Sequence, residues 1–468
     1  MSTASECKPL AELAARYRAA RQRTLSLCEP LTPEDMMVQS CPEASPAKWH
    51  LAHTAWFFES FVLQEFLPGY RLFNPDFPWL FNSYYRSFAA FPEKRLRSSF
   101  SRPGLDEILR YRQHVDDAVE RLLAGDAASE ALRRIELGVN HEEQHQELLL
   151  TDILHAFFSN PLRPAYRAGV QESDGPDLQP PQPSPGAPGL APHKSSPGAP
   201  GSDSETWEAV NPHSDSAGGD NHALHFQDFA GGLREAGHDG PGFCFDNELP
   251  RHRVWLEPFS LADRLVTCGE FAAFIADGGY RRHELWLSAG WDVVESNGWR
   301  APLYWTEAEG GWTVFTLRGE QPLTRLADVP VSHVSFFEAD AYARWAGQRL
   351  PTEFEWEAAA AGQPIEGNLL DSGRLMPAAA TKLPQEENGA KHFFGDCWEW
   401  TASAYLGYPG FKPLPGSLGE YNGKFMSGQM VLRGGSCVTP AAHIRASYRN
   451  FFAPETRWQF SGIRLAKL

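Results

Sequence analysis

Residues 141–146 read HEEQHQ, two histidines four apart within a stretch that otherwise has helical periodicity. On a helix, positions i and i+4 lie on one face a turn apart, so His141 and His145 can share a metal ion. Their face, Gly138, His141, His145, Leu148 and Asp152, mixes polar with apolar and runs into LLLTDILHAF, unlike a purely solvated face. The plain alternative is a pair of bundle histidines hydrogen-bonded to neighbouring carboxylates, and spacing alone does not choose between the two. A third imidazole comes from KWHLAHTAWFFE, where His53 shares a stripe with Trp49, Trp56, Phe57 and Ser60. His50 falls about a turn away and is expected to be peripheral. Three neutral imidazoles from facing helices suit Fe(II), Cu, Zn or Ni. Three ligands on one side of an octahedral iron would leave positions for substrate and O2. In LFNSYYRSF, the doublet Tyr84 and Tyr85 could deliver a proton to oxygen at such a centre, although aromatic doublets commonly just pack.

The elements that must position these residues are helical. LAELAARYRAARQRTLSLC, PAKWHLAHTAWFFESFVLQEF, GLDEILRYRQHVDDAVERLLAG and SEALRRIELGVNHEEQHQELLLTDILHAF carry apolar residues at i, i+3, i+4, i+7. They predict a four-helix bundle over 1–168, with one long excursion, residues 67–103, between the second and third helices. Residues 169–223 collapse into Pro, Gly, Ser and Asp, with SPGAPG occurring twice, and are expected to form a disordered linker. Residues 224–468 turn to Gly, Trp and short β-branched runs, broken by two helical pieces, TCGEFAAFIADGG and SFFEADAYARWAGQ. This predicts an α+β domain rich in irregular loops, so the fold class is multidomain, α followed by α+β.

Composition narrows the function classes. A chain of 468 residues suits two domains, and a net charge of −17 argues against nucleic acid or an anionic membrane as partner. No apolar run is long enough to span a bilayer, and the N-terminus lacks the apolar core of a signal peptide. The seven cysteines are scattered without CxxC pairs, which fits neither a disulfide framework nor a zinc ribbon and points to a reducing, cytoplasmic setting.

SPAKWHLAHTAWFFESFVL, LFNSYY, LGVNHEEQHQELLLTDILHAF and NPLRPAY together resemble the DinB-like bundle of the ergothioneine-biosynthesis sulfoxide synthases. RLPTEFEWEAAA, GDCWEWTASAYLGYPGF, EYNGKFMSGQMVLRGGSC and RASYRNFFAPETRWQFSGIRLA resemble the formylglycine-generating-enzyme fold of that family's C-terminal half. The resemblance implies an Fe(II) enzyme with His53, His141 and His145 as metal ligands. It joins hercynine, the betaine of histidine, to cysteine using O2, through a C–S bond whose sulfur ends as a sulfoxide. Gln144 would help hold the betaine, and Arg449–Phe452, Phe451 and Phe452 above all, would line its trimethylammonium pocket by cation–π attraction. Binding to iron would lower the pKa of the thiol donor. Tyr84 and Tyr85 match the acid pair of one branch of the family; the other branch places an active-site tyrosine on the C-terminal domain.

The donor is expected to be free cysteine. Phe452 and Thr456 stand where the γ-glutamylcysteine-using branch has Asp and Arg. Lys94, Arg95 and Arg97 in PEKRLRSSFSRP are candidates for the donor carboxylate, in a segment that departs from the branch's usual pattern. γ-Glutamylcysteine, a selenium donor or an ovothiol-type substrate remain alternatives within the class, and a metal-holding binding module is the alternative outside it. The formylglycine chemistry itself is not implied, because Cys397 and Cys437 resemble scaffold positions, as do Arg433, Trp398 and Trp400.

Overall fold

The computed structural model describes residues 10–88, 90–167, 224–380 and 393–468. The expected linker at 169–223 lies outside the described residues. Four helices form the N-terminal bundle: Leu10–Cys28, Ala47–Phe58, Leu105–Ala124 and Ser129–Ser159. The third has acidic Asp106 and Glu107 in its first turn and Arg121 in its last, as the helix dipole favours.

The second helix is buried along its whole length, because it crosses the centre of the bundle and packs on both the third and the fourth. Its approach to the fourth depends on Gly138. A Cβ there would lie 2.4 Å from the Phe58 ring and 3.0 Å from that of Phe57. The helix then widens into a π turn, Glu59–Leu63, where the buried Glu59 carboxylate accepts bonds from the Tyr70 and Tyr111 hydroxyls. Behind the histidines, Glu142 lies between the Arg21 and Arg112 guanidiniums and also accepts from Thr24. Burial would raise its pKa, but the two cations hold it at about 2.

The C-terminal domain is α+β with many short strands. A four-stranded sheet runs in the order Asn450–Phe452, Met430–Arg433, Trp398–Ala404, Ser461–Gly462, antiparallel except for the last pair. The two expected helices are present as Cys268–Ala276 and Phe336–Trp345. Two more, Ser288–Asn297 and Glu353–Ala360, were not foreseen. Buried ion pairs brace the domain: Arg433 with Glu353 and Glu357, and Arg464 with Glu399. Trp400 donates to the Val334 carbonyl.

Bundle and sheet domain share one apolar core. Cys437, Val438 and Phe460 belong to the same buried cluster as the bundle helices. At the seam, Glu147 accepts bonds from the Trp398 indole at 2.5 Å and the Thr439 hydroxyl at 2.6 Å. Among the described residues no helix is long and apolar enough to cross a membrane.

Candidate metal centre

His53, from the second helix, and His141 and His145, from the fourth, each offer a ring nitrogen, and these atoms lie within 4.8 Å of one another. All three rings are buried. His53 stacks between two indoles of its own helix, with Trp49 at 4.4 Å and Trp56 at 5.1 Å, both 14° from parallel. Its Nδ1 donates to the Phe81 carbonyl at 2.7 Å, which leaves Nε2 as a lone pair with no protein partner. His141 rests against Phe57, and neither of its nitrogens has a hydrogen-bond partner. Buried polar atoms without partners are costly, about 1–3 kcal/mol each. A divalent ion would satisfy one on each ring.

The third imidazole is oriented differently. His145 Nδ1 faces His50 Nδ1 at 2.8 Å, and His50 Nε2 in turn meets Asp152 Oδ2 at 3.0 Å. Asp152 also accepts from the Ser45 backbone N–H. His50 is therefore not peripheral, as its position a turn from His53 suggested. It is the link of a carboxylate–histidine–histidine chain that fixes the ring of His145. Burial, reinforced by the neighbouring imidazoles, pushes His53 and His145 well below the ordinary histidine pKa. Burial takes His141 down to about 3. The three rings are neutral near pH 7, the state a metal requires, and an all-imidazole set suits a borderline transition ion over Mg or Ca.

The excursion between helices two and three closes one side. Tyr85 is buried against Trp56 and Phe61. Tyr84 packs on Tyr85 at 4.8 Å and on Tyr421 of the C-terminal domain at 5.8 Å. Burial raises the pKa of both, so both phenols keep their protons. Lys424 holds the doublet in place by donating to the Tyr84 carbonyl, and Glu420 accepts from the backbone of Arg86 and Ser87.

Of the three basic candidates Arg97 is the one packed directly against the histidine cluster. Its guanidinium lies 3.4 Å from the centroid of the Trp49 ring, on the indole that stacks on His53, and it donates to Ser45 Oγ. Among the described residues it has no ion-pair partner, and burial brings its pKa down to about 9. Arg95 is exposed and pairs with Glu93. Lys94 is surface-accessible yet lies near enough to Asp152 and His50 for its charge to act on both, and desolvation lowers its pKa.

The aromatic segment divides similarly. Phe451 stacks on Tyr405 at 4.0 Å and lies 5.8 Å from Phe425, which touches Tyr84. Phe452, its neighbour on a strand, points to the other face and packs on Trp458. Arg449 is committed to a buried pair with Glu353 instead of lining a pocket.

Gln144, on the helix between the two ligands, is bonded at both ends of its amide by the other domain. Tyr421 donates to its Oε1 at 2.8 Å, and its Nε2 donates to Tyr448 at 2.7 Å. Tyr421 also places its ring 6.4 Å from that of His141. Neither tyrosine was singled out from sequence. Tyr421 sits in EYNGKF, a stretch with no metal-ligand spacing and no helical pattern to reveal it.

Comparison with known proteins agrees with this two-part architecture. Residues 228–468 match the sulfatase-modifying factor enzyme 1-like domain family, and residues 16–151 match the DinB superfamily. A hercynine oxygenase of Mycobacterium tuberculosis is 39% identical over 240 residues, which covers 47% of this chain and 55% of that protein. A formylglycine-generating enzyme of Thermomonospora curvata is 35% identical over 275 residues, 50% of this chain and 90% of the other. An ergothioneine biosynthesis protein 1 of Schizosaccharomyces pombe is 28% identical over 237 residues, 48% of this chain and 28% of its own. The match spans about half the length of the curated hercynine oxygenases.

Proposed function

From the premise that this chain belongs to the sulfatase-modifying factor enzyme 1-like family, with a DinB superfamily bundle ahead of that domain, we propose that it is an Fe(II)-dependent hercynine oxygenase that makes a sulfoxide. The reaction joins hercynine to cysteine: the imidazole C–H and the thiol S–H are lost, a C–S bond forms, the sulfur gains one oxygen atom, and O2 supplies that atom and leaves the other as water. The carrying observation is the buried set of three neutral imidazoles, two of them with unpartnered nitrogens, in a chain 39% identical over about half its length to a hercynine oxygenase. His53, His141 and His145 would hold the iron. When bound, it supplies a redox-active Lewis acid able to take thiolate and O2.

The remaining groups divide the work. The Phe81 carbonyl and the His50–Asp152 pair orient two of the ligands. Arg97, a buried guanidinium without a carboxylate of its own, would receive the carboxylate of cysteine. Gln144 and Tyr421 would hold the betaine, with Phe451 and Phe425 as aromatic walls for its cation. Tyr84 and Tyr85, still protonated at neutral pH, would deliver the proton that reduction of O2 requires. The uncharged pair Phe452 and Thr456 supports free cysteine over γ-glutamylcysteine as donor.

The test is a product assay by mass on iron-loaded protein given hercynine with cysteine, γ-glutamylcysteine or a selenosugar. We expect hercynylcysteine sulfoxide, one iron per chain, and O2 uptake only when betaine and thiol are both present. His141→Ala should abolish uptake; full activity in that variant would reject the assignment.

A further inference from the structure

Resting on that reading for what enters the pocket, we infer that His443, on the C-terminal domain and in contact with none of the three candidate ligands, is a positioning residue that fixes the direction of the hydrogen bonds ending on Tyr421. His443 is 1% exposed. Its Nε2 lies 3.0 Å from the Tyr448 hydroxyl, and its Nδ1 lies 3.3 Å from Asn140 Oδ1 and 3.6 Å from Glu143 Oε2.

The direction follows from Asn140. Its Nδ2 donates to the Glu136 carbonyl, and Arg16 donates to its Oδ1, so the atom facing His443 is an acceptor. Glu143, paired with Arg16, presents a second acceptor to the same nitrogen. His443 must therefore carry its proton on Nδ1. Burial lowers its pKa, and the ring is neutral, so Nε2 is a lone pair. Tyr448 then has to donate to Nε2, and its oxygen accepts from Gln144 Nε2. The amide carbonyl is thereby turned to Tyr421, whose proton is committed to it. Tyr421 consequently offers only lone pairs to whatever lies beside His141. It is an acceptor for a donor group of the substrate, and the supply of protons is left to Tyr84 and Tyr85. A ring protonated on Nε2 would instead donate to the Tyr448 oxygen, and the direction of the Gln144 amide would no longer be fixed from this side.

Two measurements test this on the iron-loaded, full-length protein. The first is the histidine tautomer, read from 15N–1H two-bond correlations of 15N-histidine-labelled protein, with His443→Gln supplying the assignment by difference. It needs no turnover, so it stands even where the activity assay fails. The expected result is a neutral ring protonated on Nδ1; protonation on Nε2 or on both nitrogens overturns the inference. The second is steady-state kinetics with hercynine. His443→Leu, which removes the acceptor, and Tyr448→Phe should raise KM roughly tenfold with a smaller change in kcat, about the worth of one hydrogen bond. His443→Gln, whose Oε1 can take the place of Nε2, should recover most of the loss. An unchanged KM in both deletions, or a Gln variant no better than Leu, overturns the inference. A wild-type protein that makes no sulfoxide instead counts against the proposed function.

Discussion

Trp49 and Trp56 allow His53 little freedom, and the Phe81 carbonyl settles which of its nitrogens is protonated. This local economy means that ligand identity and ligand orientation can be separated by experiment. His50→Leu leaves all three ligands in place but removes the partner of His145 Nδ1. Metal affinity in that variant, measured by competition with a chelator, should fall by roughly 10–100-fold without loss of the one-to-one stoichiometry. Away from the centre, Asp396 shows how burial of one group sets a pH response. Burial lifts its carboxyl from 3.8 to about 6, although Asn368 and the Ala378 N–H both bond to it. Its folded pKa is above its unfolded one, so the stability it confers is present below about pH 4 and is lost as pH rises through about 6. Asp396→Asn keeps the acceptor and escapes that loss. Denaturant titrations should show parent and variant nearly equal at pH 4 and the variant more stable by about 2–3 kcal/mol at pH 7, with the gap opening between those values.

Among the elements, the second and fourth helices matter most, because they carry the three clustered histidines and touch through Gly138. Gly138→Val would press its side chain into Phe57 and Phe58, one turn from His141. It should cost about 1–3 kcal/mol in thermal or denaturant unfolding and weaken metal binding through the displaced helix. All four bundle helices were legible in the sequence, since long amphipathic periods survive without knowledge of the partner. The π turn at Glu59–Leu63 was not, because it leaves no mark on the apolar period, and the Tyr70 and Tyr111 hydroxyls that bond its Glu59 come from outside the helix. Glu353–Ala360 could have been read: Thr352 and Glu355 form a capping box, a signature visible three residues apart. The clustering of His53, His141 and His145 was legible for the same reason as the helices. Its support was not: the role of His50 depends on Asp152, about a hundred residues away.

The whole molecule is organised around a seam. The C-terminal domain brings Tyr421 and Tyr448 to Gln144, His443 to Asn140, and Lys424 and Glu420 to the tyrosine doublet, so neither part of the chain forms the site alone. These contacts join residues 277 or more positions apart, which is why sequence periodicity could not announce them. Glu147→Ala, which leaves the Trp398 indole N–H without an acceptor at that seam and takes one from the Thr439 hydroxyl, should destabilise the protein by about 1–3 kcal/mol in denaturant unfolding. The account as a whole stands on one ion held jointly by two helices. Anaerobic titration with Fe(II), followed by metal analysis after gel filtration, measures this directly. One iron per chain in the parent and none retained by His53→Ala or His141→Ala is the result expected; a folded His53→Ala protein that keeps a full equivalent of iron would contradict it.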